Sequence, residues 1–246
     1  MTLTIDPEEP LAVAVVEAIH GGDLAALKRL LDENPGLARA RIGDDDPNGM
    51  SRTLLHVATD WPGHYPNVAA TIATLVEAGA DVNARFHGPH AETPLHWAAS
   101  SDDVEALDAL LDAGADINAD GGVIGGGTPL ADARAFRQLR TAHRLVERGA
   151  QTTLADAATL GLMDRLSAYF ASEARPSPEE LNGAFWGACH GGQQLAAEYL
   201  LDRGAELNWI PPWEDLTPLD AAVRSDACDV VDWLRGRGAK SASELD

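Results

Sequence analysis

The feature that most constrains this chain is the stretch Thr93-Pro94-Leu95-His96-Trp97-Ala98-Ala99, continued by Leu107, Leu110 and Leu111 and closed by Gly114-Ala115-Asp116-Ile117-Asn118. Thr93 suits a helix N-cap, and Pro94 suits the first helical position, where no backbone N–H is needed. Ala98 and Ala99 leave little bulk, so a neighbouring helix can approach closely. Leu107, Leu110 and Leu111 lie three and four apart and form an apolar stripe on a second helix. Gly114 can take the left-handed conformation that ends that helix. The stretch therefore predicts helix, turn, helix and a loop that leads into another copy.

The pattern recurs. Seven units align, starting near Val13, Thr53, Thr93, Thr128, Thr152, Asn182 and Thr217. The T-P-L-H-x-A opening of the third unit resembles the ankyrin repeat. The resemblance implies an all-α ankyrin-repeat solenoid of stacked helix-turn-helix units joined by β-hairpin-like fingers. It implies a single domain over residues 1–246, with units near 13–38, 53–83, 93–118, 128–150, 152–173, 182–208 and 217–239. In that family the motif histidine is structural, so His56 and His96 are expected to bond turns of their own and adjacent repeats. The fingers and first helices line a concave face, which usually binds.

The departures from the pattern carry the individuality of the chain. Unit one lacks the Thr-Pro start, as an end-capping repeat can. A polar loop rich in turn formers runs from Arg41 to Met50. In unit two Leu54 replaces the proline, and Pro62-Gly63 stop the first helix early. The resulting insertion carries Asp60, Trp61, His64 and Tyr65. Its aromatics either pack onto the stack or face a ligand. The next connection holds His87, Gly88, Pro89 and His90, and the one after it, Asp120 to Gly127, holds five glycines. These glycines make it mobile or let its backbone approach something closely. Unit four has Ala131 at the histidine position, and unit five follows almost at once, leaving no room for a full finger. Unit five is degenerate and is the expected weak point in stability. The linker-like stretch Ala171 to Pro178 is read as a change in stacking or a hinge. Unit six is expected to start near Asn182, followed by a finger with Trp209, Pro211, Pro212 and Trp213. The tail from Lys240 is expected to fray.

Charge narrows the partner. A formal net charge of −21 disfavours nucleic acid, whose phosphates demand Lys and Arg, and disfavours an anionic membrane surface. It suits a basic or neutral protein partner. Two cysteines, Cys189 and Cys228, make neither a disulfide framework nor a four-ligand zinc motif. A reduced, cytoplasmic location follows as the simple expectation. Met1 to Glu9 has no signal-peptide pattern, and no run of apolar residues reaches the length of a membrane span.

No GxSxG, HExxH or GxxxxGK motif is present. Cys189 and His190 are adjacent on a helix and point apart. Asp60 with His64 is a candidate acid–base pair, and His87 with His90 a candidate metal-binding pair, but neither is adopted as a catalytic or metal site. No cofactor is expected. The non-consensus aromatics and histidines fall instead on first helices, the insertion and the fingers. Asp60, Trp61, His64, Tyr65, His87, His90, Trp97, Trp186, His190, Trp209 and Trp213 are the candidate binding residues. The expected function is protein–protein interaction through the concave face. The alternative is a small-molecule binder or enzyme with a pocket built from loop 60–65 and the fingers.

Overall fold

A computed structural model describes residues 3–44, 46, 49–171 and 175–245. Asp45, Pro47 and Asn48 of the polar loop and Ser172, Glu173 and Ala174 of the linker-like stretch lie outside the described residues, as do Met1, Thr2 and Asp246. Among the described residues the fold is built of fourteen α-helices and one small sheet. The chain divides into two compact units, Met1–Ala150 and Gln151–Asp246.

The first unit holds four helix pairs: α1 (Pro10–His20) with α2 (Leu24–Glu33), α3 (Leu54–Ala58) with α4 (Val68–Glu77), α5 (Pro94–Ser100) with α6 (Val104–Asp112), and α7 (Pro129–Ala135) with α8 (Leu139–Glu147). First helices pack on first helices, and second helices on second helices. The close approach expected of small residues is present: Ala98 and Ala99 are fully buried between neighbours. Leu107 and Leu110 of the predicted stripe are fully buried as well. Gly114 has φ +93 and donates its N–H to the Leu111 carbonyl at 3.0 Å, closing α6.

The tight turn inside each pair demands a left-handed residue. Asn67, Asp102 and Arg137 take it at φ 56, 54 and 57. Asn and Asp tolerate this region because their short polar side chains bond nearby backbone. Asp102 Oδ1 reaches beyond its own turn and accepts the Thr141 N–H of the next pair at 2.9 Å.

The sheet was only partly legible. β2 (Arg41–Gly43) and β3 (Ser51–Thr53) form the antiparallel hairpin expected of a finger. A third strand, β1 (Thr4–Ile5), pairs with β2 in parallel, Ile5 opposite Ile42. Both isoleucines are buried, which is what draws the N-terminal segment onto the finger.

The second unit holds α9 (Leu154–Thr159) with α10 (Met163–Ala171), α11 (Pro178–His190) with α12 (Gln194–Leu201), and α13 (Pro218–Arg224) with α14 (Cys228–Gly236). Its core joins Leu154, Leu166, Phe185, Leu200, Leu219 and Leu234. Three expectations need correction. Unit five is capped by Thr153, whose Oγ1 accepts the Asp156 N–H, and not by Thr152. α11 starts at Pro178, four residues before Asn182, because Ser177 and Glu180 form a capping box there. The tail is not frayed up to Leu245. Residues Ala242–Glu244 form a 3-10 turn, and the Ala242 N–H is held by Asp220 Oδ2 at 2.8 Å.

Candidate functional site

The motif histidines set the frame. The Thr53 hydroxyl lies 2.8 Å from His56 Nδ1, and His56 Nε2 donates to the Glu92 carbonyl at 3.1 Å. His96 repeats the arrangement, with Thr93 at 2.9 Å on one nitrogen and the Gly127 carbonyl at 3.1 Å on the other. Each ring thus ties its own helix start to the finger of the next repeat. Burial lowers the His56 pKa to about 3 and the His96 pKa to about 4, so both rings are neutral near pH 7. These are structural groups.

The insertion splits by residue. Trp61 is 80% exposed, and Asp60 Oδ1 accepts its backbone N–H at 3.0 Å. Asp60 Oδ2 pairs with Arg52 and not with His64, so the candidate acid–base pair is not assembled. His64 lies instead against the next repeat. Its N–H donates to Asp103 Oδ2 at 2.6 Å and its Nε2 to the Ser101 carbonyl at 3.1 Å. Tyr65 stacks on His20 with ring centroids 4.1 Å apart, so it serves the packing. Of the two open readings, Tyr65 follows the first, and Trp61 stands exposed to solvent.

His87 and His90 are exposed, and the backbone of His87 pairs with Ser51. Trp97 is half-buried and sits 4.9 Å from the His56 ring and 5.4 Å from Phe86. Its indole also serves the carboxyl of Glu92, which is buried. On α7, at the place Trp97 holds on α5, stands Asp132, which is fully buried. Burial pushes both carboxyls above the usual range, and the charge of Asp132 adds to the rise at Glu92. Glu92 and Asp132 escape the sequence reading, as does Asp103, the anchor of the insertion. Among 39 acidic residues an inward-facing acid does not stand out. The available signal was positional: Asp132 occupies the slot that the preceding repeat fills with tryptophan.

In the second unit Trp186 and His190 are largely buried and stack at 5.4 Å. Trp186 Nε1 donates to the Leu216 carbonyl at 3.0 Å, and His190 Nδ1 lies 3.0 Å from Ser225 Oγ. Both are packing residues first. Trp213 is 61% exposed and meets Trp186 and Trp209 edge-on at 6.5 and 5.6 Å. Arg224 lies over Trp186 at 5.7 Å and pairs with Glu214. Cys189 is buried with its thiol pKa pushed up, which removes it as a nucleophile.

Among the described residues no group of three or more His, Cys, Asp or Glu is placed to hold a metal ion. A cavity of about 420 Å³ in the first unit is lined by Thr4, Arg41, Arg85 and His87 among others. It takes in neither the insertion nor the glycine finger. No helix of the described residues is long and apolar enough to cross a membrane.

Residues 71–156 match the family model for ankyrin repeats in three copies. The crystal structure of the human ASB11 ankyrin repeat domain is similar over 96% of this chain and 90% of that one, with a TM-score of 0.51 and 23% sequence identity. No curated protein matches the sequence. Residues 71–156 are similar to ankyrin repeats, and the fold of the chain is the ankyrin-repeat fold that the T-P-L-H stretch implies.

Proposed function

We propose that this chain is an interaction scaffold that captures a protein partner through its concave face, the side built from fingers and first helices. Ankyrin repeats are generally protein–protein interaction modules. The observation that carries the finer reading is Trp61, 80% exposed on an insertion that the repeat does not need. A large aromatic held in water by a fixed loop suits an interaction anchor. Asp60, through Arg52, and His64, through Asp103, hold that loop in place. Exposed His87 and His90 extend the face in the first unit. In the second unit the exposed Trp213, with Trp209 beside it and Trp186 and His190 beneath, is the matching anchor. Trp97 and Tyr65 contribute by positioning rather than by contact.

The net charge of −21 favours a partner with a basic surface, whose encounter it would accelerate. The unpaired Cys189 and Cys228 suit a reducing, cytoplasmic setting. The test is co-purification from host extract with wild-type chain beside Trp61→Ala and Trp213→Ala. A protein retained by wild type and lost with either variant supports the reading. A partner retained equally by both variants removes the aromatic face from it.

A further inference from the structure

The cavity of about 420 Å³ in the first unit holds charges that the aromatic face does not use. Its walls are fixed by backbone pairing. Thr4 stands on β1, Arg41 on β2 and Ser51 on β3, and the Ser51–His87 pair, at 2.9 and 3.0 Å, joins the next finger with its Arg85 and Phe86 to that sheet. Arg41 is half-buried. Its Nε donates to Ser51 Oγ at 2.8 Å, and its Nη2 donates to the carbonyls of Ser51 at 2.6 Å and Arg85 at 2.8 Å. All three acceptors are neutral. Arg85, on the same cavity, is answered by Asp120 Oδ1 at 2.7 Å, and the neighbouring Arg52 by Asp60. Arg41 has no carboxylate partner among the described residues. Asp44 lines the cavity too. Its Oδ1 accepts the Asp46 N–H at 3.0 Å, and no Lys, Arg or His among the described residues pairs with it. One cavity thus holds a fixed guanidinium and a carboxylate that do not meet each other, and each gains from an opposite charge brought to it.

We propose that this cavity binds a small zwitterion, with its carboxylate on Arg41 and its ammonium group on Asp44. The Ser51 and Arg85 oxygens hold the guanidinium in one orientation while Nη1 makes no hydrogen bond, so N–H donors remain for a carboxylate. Thr4 adds a hydroxyl to the same lining. Phe86, held against Trp97 with ring centroids 5.4 Å apart, offers the methylenes between the two charges an apolar wall. The volume lies within the ~300–1,000 Å³ range of small-molecule sites. A ligand with a single charge leaves either Arg41 or Asp44 unanswered and forfeits that part of the contact. The inference rests on Arg41 and Asp44 and does not depend on the aromatic face.

The experiment is an NMR titration of the full isotope-labelled chain with a ladder of zwitterions of growing charge separation: glycine, β-alanine, γ-aminobutyrate and ε-aminocaproate. Each is paired with the carboxylate and the amine of matching length. The expected result is that at least one member shifts the backbone resonances of Asp44, Ser51 and His87 saturably, while its matched carboxylate and amine each bind about 10-fold more weakly or worse, the loss of one charge-assisted contact. Asp44→Asn keeps an oxygen for the Asp46 N–H and should weaken that member about 10-fold. Arg41→Gln should weaken it at least as much. Arg41 also ties β2 to Ser51 and Arg85, so a thermal melt verifies the folding of both variants, and Asp44→Asn alone decides if Arg41→Gln does not fold. No saturable shift with any member, shifts confined to residues away from the cavity, single-charge analogues as tight as the best zwitterion, or unchanged affinity in folded Asp44→Asn overturns the proposal.

Discussion

The helix starts of the first unit and those of the second solve the same problem with different chemistry. In repeats two and three the third helical residue is histidine, a side chain with two polar ends. One nitrogen serves the capping threonine and the other reaches a carbonyl of the next finger, as His56 and His96 do. In repeats five and seven the same position is Asp156 or Asp220. Each accepts the N–H and hydroxyl of its own cap, Thr153 or Thr217, through one oxygen. Repeat six gives up the position altogether and fills it with Phe185, fully buried at the centre of the second unit's core. The histidine version ties repeats together by hydrogen bonds, and the second unit leans on apolar packing and local caps. The lesson is that one slot can trade a long-range bond for a hydrophobic plug when the helix is extended backwards, as α11 is to Pro178, so that no cap is needed beside it.

The comparison can be broken first at Phe185. Phe185→Ala should cost about 3–5 kcal/mol in the second unit, since it leaves a cavity where nothing is free to collapse. Urea denaturation followed at Trp186 and Trp213 checks this. An effect below about 1 kcal/mol would mean that the plug is dispensable.

Acid is the matching challenge to the first unit. The folded pKa values of His56 and His96, about 3 and about 4, lie below the unfolded value, so the unfolded chain takes up protons first. Their contribution is complete above pH ~6.5 and drains away as pH falls towards 4 and then 3. The expected loss is on the order of 3 kcal/mol for each ring. Hydrogen exchange of α3 and α5 measured from pH 7 down to pH 4 follows it, after correction for the intrinsic rate. A flat profile would show that the two rings do not set the acid stability of the unit.

A smaller effect belongs to Asp220, which closes the capping box of Thr217 at the start of α13 and also holds the tail through the Ala242 N–H. Asp220→Ala should cost about 1–2 kcal/mol. It should free the Ala242 amide to exchange well before α13 itself does. The smallest stability effect is expected at Trp61. Trp61→Ala should change stability by no more than about 0.5 kcal/mol, because an exposed ring leaves little packing behind. A larger loss would show that the insertion is part of the stack and not an anchor.

The repeat architecture was legible because its determinants are local. Thr93-Pro94 begins a helix wherever it stands, Gly114 ends one, and Leu107 and Leu110 face inward by spacing alone. What the sequence hid was contact between distant segments. Nothing in Thr4-Ile5 announces a strand, because the partner that makes it one is Arg41-Ile42. α11 starts before the repeat register at Asn182 because the capping box of Ser177 and Glu180 begins it, a local signal that the repeat pattern overlies. Residue type alone groups the exposed Trp61 and Trp213 with Tyr65 and His190, which pack against His20 and Ser225. Glu92 and Asp132 went unseen for the opposite reason: their residue type is the commonest on the surface, and only their burial is unusual.

Asp103 has a consequence in evolutionary terms. Its Oδ1 accepts the Ala106 N–H and so begins α6, while its Oδ2 holds His64 of the preceding repeat's insertion. The corresponding Asp23 of the first repeat begins α2 in the same way from an exposed position. An ancestral cap of that simple kind needs no loop beside it. Once an insertion had settled on the free oxygen, one carboxylate answered to two selective demands. Deleting the insertion would now strand a buried oxygen, and replacing the cap would release the insertion. The two are expected to persist or disappear together in any descendant of this gene, although they lie in different repeats.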